Sequence, residues 1–214
     1  MKRSLLTAAL LASGIACAAT PVDGWYTSIF GGYTYIPGNV NTQYMGILYN
    51  NDKYTKGYNA GGRIGYQSNP LRYELEYTYL EGFARNFDAA SVQQIDVNGF
   101  SSANMFMANV YFDTPEILPS IVPFLGIGIG YTYLQSALNG TNPNTVVVYN
   151  FDAKDSEFAY QGTAGLTYNF SENYALNAAY RYVATTHASE FGRNYQVQIA
   201  SAGFIYRFDR GNYK

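Results

Sequence analysis

GYNAGGRIGYQSNPLRYELEYTYLEG, residues 57–82, is the stretch whose reading decides the fold. Alternate positions of its first arm put Tyr58, Ala60, Gly62, Ile64 and Tyr66 on one side and Asn59, Gly61, Arg63, Gly65 and Gln67 on the other. In the second arm Leu71, Tyr73, Leu75, Tyr77 and Tyr79 alternate with Arg72, Glu74, Glu76 and Thr78, and Ser68-Asn69-Pro70 supplies the turn. A period of two held this long predicts paired β-strands with two chemically different faces. A face of Tyr and Leu opposite one of Arg, Glu and side-chain-free Gly suits a barrel whose outside meets lipid and whose narrow inside holds paired charges. With a two-residue turn at Asn69-Pro70, Arg63 stands opposite Glu76 and Gly65 opposite Glu74 on the inner face. On the outer face Ile64 then pairs with Leu75, and Tyr77 covers Gly62.

Composition supports a membrane environment. Of the 214 residues 17% are aromatic, including 23 Tyr, and only 13% are charged, against about 25% charged in soluble domains. After the first twenty residues no window offers the roughly 18 unbroken apolar residues of a membrane helix. A barrel reconciles the two facts, because only alternate residues need be apolar.

The start, MKRSLLTAALLASGIACAAT, has basic Lys2 and Arg3, an apolar run from Leu5 to Ala16 and small residues at Ala16-Cys17-Ala18. It reads as a secretory signal over residues 1–19, cleaved just after Ala18 or Ala19. The single Cys lies inside it, so no disulfide or thiol chemistry is expected of the mature chain. A lipoprotein reading would keep Cys17 as a lipid-bearing first residue, but Gly14 stands where a lipobox has Leu, Val or Ile. Cleavage removes two of the 13 basic residues and none of the 15 acidic ones, leaving a formal charge of −4. That balance, without a basic run, does not suit nucleic acid.

Residues 20–208 then divide into eight predicted strands, followed by a short tail over residues 209–214. The first strand runs from Gly24 to Ile36, the second and third are the opening hairpin, and the fourth covers about Ser102 to Asp113. The fifth is VPFLGIGIGYTYL, where Leu125, Ile127, Ile129, Tyr131 and Tyr133 alternate with Gly126, Gly128 and Gly130. An inner stripe of Gly there makes room for bulky neighbours across a small lumen. FAYQGTAGLTYNF, YALNAAYRYV and Tyr195 to Phe208 complete the set. Long loops are expected over about residues 37–56, 81–99, 135–156 and 185–193, and short returns after the even-numbered strands. The expected class is all-β, an eight-stranded antiparallel up-and-down transmembrane β-barrel with both termini in the periplasm. A soluble eight-stranded barrel such as a lipocalin is the competing architecture, but its outer face should be polar. The outward aromatics Trp25, Tyr33, Tyr35, Tyr73, Tyr77, Tyr79, Tyr131, Tyr133, Tyr168, Tyr180 and Tyr182 are the expected aromatic belt.

The export signal, the GWY opening of the first strand, VPFLGIGIGYTYL and the FIYRF ending resemble the opacity-protein and porin-like family of small eight-stranded outer-membrane proteins, related in architecture to OmpA-like membrane domains. The resemblance covers essentially the whole mature chain. It implies the outer membrane of a Gram-negative bacterium, contact with outer-membrane lipid and lipopolysaccharide, and insertion by the barrel-assembly machinery. Family members commonly finish on an aromatic residue that this machinery reads. Phe208 fits, with Tyr206, Phe204, Ala202 and Ala200 at the alternating places before it, although the chain continues through DRGNYK.

The inner-face charges Arg63, Arg72, Glu74, Glu76, Arg181 and Arg207 are the first candidates for function. They form either a packed plug or an ion path, and the narrow interior of an eight-stranded barrel favours the plug. His187, the one histidine, stands near Ser189 and Glu190, and lipid A hydrolases of this architecture use His and Ser. Glu190 is adjacent to Ser189 rather than placed across the barrel, the flanking residues do not match the deacylase motif, and no enzyme activity is expected. No zinc-type ligand set and no phosphate loop is legible, and no cofactor is expected. Apolar residues in the loops, Tyr44, Met45, Ile47, Leu48 and Tyr49, then Phe83, Phe87, Val92 and Ile95, then Val146 to Tyr149, either form a surface for a host or neighbouring ligand or pack the loops together. Two functional classes follow. One is a non-enzymatic surface protein that stabilises the envelope or binds a partner. The other is a narrow porin or hydrophobic conduit, which Phe30, Met105, Met107, Leu134 and Val183 on the inner face would serve.

Overall fold

The computed structural model describes residues 23–38 and 40–208, so the signal segment and the tail beyond Phe208 lie outside the described residues. Its strands are β1 (Gly24–Tyr35), β2 (Thr42–Tyr44), β3 (Ile47–Tyr54), β4 (Gly57–Ser68), β5 (Leu71–Ala89) and β6 (Val92–Gln93). They continue with β7 (Ile95–Asp113), β8 (Ile121–Thr141), β9 (Val148–Asn169), β10 (Tyr174–Ala188) and β11 (Arg193–Arg207), with a 3-10 turn at Ser189–Phe191. Eight of them close a ring of antiparallel pairings. β1 pairs with β4, β4 with β5, β5 with β7, β7 with β8, β8 with β9, β9 with β10, β10 with β11, and β11 with β1. Among the described residues closure gives each of these eight strands a partner on both sides, which suits a lipid surrounding, where unpaired backbone groups are costly.

The opening hairpin has the register that its turn predicts: Arg63 faces Glu76, Gly65 faces Glu74, Ile64 faces Leu75 and Gly62 faces Tyr77. Through the middle of the barrel the alternation places apolar side chains outside, with Ile29, Leu75, Phe106, Ile127 and Ile129 all more than half exposed on the protein alone. The glycine stripe of β8 faces large inner side chains. Tyr111 stands beside Gly126, Asn109 beside Gly128 and Met107 beside Gly130. A Cβ on Gly126 would come within 2.1 Å of the Tyr111 ring, so the residue must be Gly for that ring to lie flat on the wall.

All four expected long loops contain strand: β2 and β3 take up residues 42–44 and 47–54 of the first, β10 runs to Ala188 in the fourth, and the second and third are strand except at their tips. β5 continues to Ala89 and β7 starts at Ile95, while β8 and β9 reach Thr141 and Val148. The reason is a reversal of the pattern. At this long-strand end Leu80, Phe87, Ala89, Leu134, Leu138, Phe151 and Ala153 point inward and are buried, while Asp152 and Lys154 point outward. An outside that is polar and an inside that is apolar is what a barrel needs where it stands in water rather than lipid. The upper barrel therefore has a hydrophobic core of its own, and the lower barrel has a polar interior.

Candidate functional site

Inward parity gathers charged side chains in the lower lumen, and missing side chains on neighbouring strands let them reach one another. Tyr26 on β1, Gly65 on β4 and Glu74 on β5 lie in one row. Because Gly65 has no side chain, the Tyr26 ring crosses β4, and its hydroxyl donates to Glu74 Oε1 at 2.5 Å. A Cβ on Gly65 would meet that ring at 2.5 Å. Phe30 crosses Gly61 in the same way one layer up.

Around these rings the charges alternate. Arg63 Nε lies 2.6 Å from Glu76 Oε2 and 3.6 Å from Glu74 Oε2. Arg72 bridges Glu74 at 3.3 Å and Asp113 at 2.9 Å. Arg181, fully buried on β10, pairs with Glu76 Oε1 and donates to Thr78 Oγ1 at 3.3 Å and to Ser201 Oγ at 3.4 Å. Phe30 is held between two guanidinium groups, with Arg63 4.1 Å and Arg181 4.6 Å from its ring centre. Arg72 likewise lies 4.6 Å from Phe124 and 5.1 Å from Tyr111. Buried charges persist when they are paired and hydrogen-bonded, and cation–π contacts add to that.

Five of the six charged residues singled out by sequence thus share one network. Arg207 stands apart at the short-turn mouth, donating to Asn169 Oδ1 at 2.7 Å and to the Glu172 carbonyl at 3.5 Å. Sequence reasoning placed Thr78 on the polar face without a partner and did not single out Asp113 or Tyr26. Asp113 shares the parity of Tyr111 at the end of its strand, and Tyr26 lies opposite a glycine, so both signals were present.

The upper lumen is closed differently. After β1 the chain makes a hairpin, β2 to β3, whose β3 pairs with β5. It crosses the mouth to the other wall. The Asn41 amide donates to the Phe191 carbonyl at 2.9 Å, and the Tyr49 hydroxyl donates to the Asn150 carbonyl at 3.0 Å. Tyr49 and Tyr44 pack on Phe151 with ring centres 5.2 and 5.5 Å away. Below the lid Tyr54 Oη meets Ser136 Oγ at 3.2 Å, and burial, with the Asp52 carboxylate nearby, pushes the Tyr54 hydroxyl well above its ordinary range. Met105, Met107, Leu134 and Val183 belong to this apolar core and are almost inaccessible, and Phe30 is the ring between the arginines.

The apolar loop residues divide. Tyr49 and Phe87 are core, Tyr44, Ile47 and Tyr149 are partly buried against it, and Met45, Val146, Val147 and Val148 are exposed at the tips. Ser189 and Glu190 are exposed on the 3-10 turn, and the His187 side chain lies outside the described residues. Among the described residues no group of three His, Cys, Asp or Glu is placed to hold a metal.

On the outer face Trp25, Tyr73 and Tyr168 lie toward the short-turn end, and Tyr33, Tyr35, Tyr79, Tyr133 and Tyr182 lie higher. Tyr77, Tyr131 and Tyr180 lie between them on the same face. Tyr58 and Tyr79 donate to Glu81 Oε2 at 2.9 and 2.6 Å. Just after β11 the Phe208 amide donates to the Trp25 carbonyl at 3.0 Å, and Phe208 packs edge-on against Tyr206.

Residues 4–208 match the family model described as "Outer membrane protein beta-barrel domain". An outer membrane protein of Gluconacetobacter diazotrophicus is 26% identical over 201 residues, covering 86% of this chain and 52% of that protein. An uncharacterized protein of Brucella abortus is 31% identical over 103 residues, 46% of this chain and 36% of that one. The chain thus spans about half the length of the first relative and about a third of the second. Among solved structures, Neisserial surface protein A superposes with a TM-score of 0.57 at 16% identity, covering 86% of this chain and 97% of that one.

Proposed function

This chain belongs to the outer membrane protein β-barrel domain family, and on that premise we propose that it is a non-enzymatic surface protein. In this reading it is a closed scaffold that displays four extracellular loops for partner binding and envelope integrity. The protein resides in the outer membrane of a Gram-negative bacterium, with its short turns toward the periplasm. The observation that supports closure is the double filling of the lumen, by the Arg63–Glu76–Arg181 network below and by the β2–β3 lid and apolar core above. A conduit needs a continuous path, whereas its proposed lining residues sit in close-packed surroundings. The exposed tips carrying Met45 and Val146 to Val148 are the part of the surface suited to an apolar contact.

The same reading assigns roles to the ends and the outside. Residues 1–19 direct export, and Phe204, Tyr206 and Phe208 engage the barrel-assembly machinery. The outward aromatics form the belt at the two lipid interfaces, next to lipopolysaccharide on the outer side. The test is a variant with Met45, Val146, Val147 and Val148 all changed to Ser, expressed at the cell surface. Unchanged heat-modifiability of the barrel with at least a tenfold loss of cell-surface or host-cell attachment supports display. Attachment equal to that of cells lacking the protein, already in the wild type, together with unaltered detergent resistance of the deletion strain, removes both arms of the reading.

A further inference from the structure

Outside the lumen the described residues carry five lysines and arginines, Lys53, Lys56, Arg85, Lys154 and Arg193. All five are exposed and stand at the long-strand end of the barrel. Three of them converge around Tyr35, at the end of β1. Lys53 of β3 and Arg85 of β5 line a cleft of about 500 Å³ there, with Tyr35, Asn86 and Gln93. A second hollow, of about 450 Å³, shares Tyr35 and runs over Tyr33, Tyr180 and Ala200 on the outer wall, and Lys56 also lines it. Alternation explains its shape. Tyr33 of β1, Ala200 of β11 and Tyr180 of β10 stand in one row, so the small Ala200 leaves a furrow between two exposed rings. Among the described residues no carboxylate lies within 4 Å of Lys53, Lys56 or Arg85. The acids that flank Arg85 on β5 are already engaged, Glu81 by the hydroxyls of Tyr58 and Tyr79 and Asp88 by the Asn51 amide.

We propose that the two hollows form one binding site for a single phosphorylated glycolipid of the outer leaflet, a lipopolysaccharide molecule. Its phosphates are held by Lys53, Lys56 and Arg85, and one acyl chain lies in the furrow over Ala200. The inference rests on the outer-membrane reading given above and adds a fixed lipid to it. A polar cleft alone suits any soluble anion, and an apolar furrow alone suits any fatty chain. Their junction at Tyr35 selects a molecule that has both parts, at the height where the lipid-facing aromatics give way to charged residues. Exposed cations beside an anionic lipid surface gain attraction without the desolvation that the luminal arginines undergo. Both residue types bind phosphate, Lys as a point charge and Arg through its two-pronged guanidinium. The rings flanking Ala200 are rigid and amphipathic, as an interface position requires. Further round the wall, on β9 and the 3-10 turn, Asp152, Asp155, Glu157 and Glu190 outnumber Lys154, so a phosphorylated lipid is drawn to the Tyr35 side.

Bis-phosphorylated lipid A is the probe. The whole mature protein, refolded in neutral detergent, is titrated with it and read by native mass spectrometry, and folding of each variant is checked by heat-modifiability. The wild type should saturate at one lipid per barrel before any further lipid adds. Lys53→Gln/Lys56→Gln/Arg85→Gln should weaken binding about 100-fold, since each basic residue near an anionic lipid surface contributes about a fivefold factor. Lys154→Gln/Arg193→Gln, which removes the same kind of charge elsewhere on the rim, should leave binding close to that of the wild type. Ala200→Phe, which fills the furrow and keeps every charge, should weaken it several-fold. The deacylated headgroup and inorganic phosphate, at concentrations of lipid A that saturate the site, should not displace the lipid. Adducts equal in number and strength in the wild type and the triple variant would show ordinary surrounding lipid only and overturn the proposal. Equal losses in the triple variant and in Lys154→Gln/Arg193→Gln would overturn it as diffuse attraction, and competition by headgroup or phosphate as strong as by lipid A would make the cleft a site for soluble anions. None of these outcomes touches cell attachment or the detergent resistance of the deletion strain, so the lipid site and the surface-display reading fail separately.

Discussion

Arg181 on β10 and Glu76 on β5 form an ion pair across the full width of the lumen, because their strands stand four places apart in a ring of eight. Glu76 is also bonded by Arg63 and Thr78. One buried carboxylate thus joins opposite walls of the barrel, and removing either end leaves an uncompensated charge in a site without bulk water. Arg181→Ala should cost about 3–5 kcal/mol of folding stability, read by urea titration of the barrel in lipid vesicles. The double variant Arg181→Ala/Glu76→Ala should cost clearly less than the sum of the singles. Additive losses would mean that the pair is not formed in the folded barrel.

The adjacent pair behaves by the same logic. Arg63→Ala and Glu76→Ala are expected to be non-additive, with a coupling of about 0.5–3 kcal/mol. Independence of these two substitutions would contradict the register of the opening hairpin.

Gly65 is predicted to be intolerant of any side chain. Gly65→Ala displaces the Tyr26 ring and breaks its bond to Glu74, at a cost of about 1–3 kcal/mol. Tyr26→Phe removes the same bond and leaves the ring, costing about 1.5–3 kcal/mol because the acceptor is charged. Combined, the two should cost little more than the larger of them. A Gly65→Ala barrel as stable as the wild type would show that Tyr26 does not lie across β4.

The lid should be separable from the plug. Tyr49→Ala removes the aromatic side chain that joins the β2–β3 hairpin to Phe151 and Asn150, and loss of a buried aromatic side chain costs about 3–5 kcal/mol. Amide exchange should rise over residues 42–54 and stay slow in β4 and β5. Uniform acceleration through all strands would mean that the lid and the lower barrel unfold as one unit.

Much of this was legible in the sequence where chemistry and period agree. The tight turn at Asn69-Pro70 fixes which residues of β4 and β5 face each other, and the Tyr and Leu face against the Arg and Glu face tells outside from inside. Closure follows from the count of such segments. The upper ends of β5, β7, β8 and β9 were not legible as strands, because Phe87, Leu138 and Phe151 switch to the inner side just where lipid gives way to water. A search for outward apolar residues reads that switch as the end of the strand. The partners of the inner charges were legible only within the hairpin. Arg181 meets Glu76 from 105 residues away, a distance that alternation within one strand cannot address, and the part played by Tyr26 depends on a glycine of the neighbouring strand.

The central claim is that the lumen is shut, and planar-bilayer recording of the purified wild-type barrel tests it most directly. The predicted result is insertion without a stable conductance step, both in the wild type and in Tyr49→Ala, with steps appearing only when Arg63, Glu76 and Arg181 are replaced together by Ala. Reproducible ohmic conductance from the unaltered barrel would contradict the account and favour a conduit.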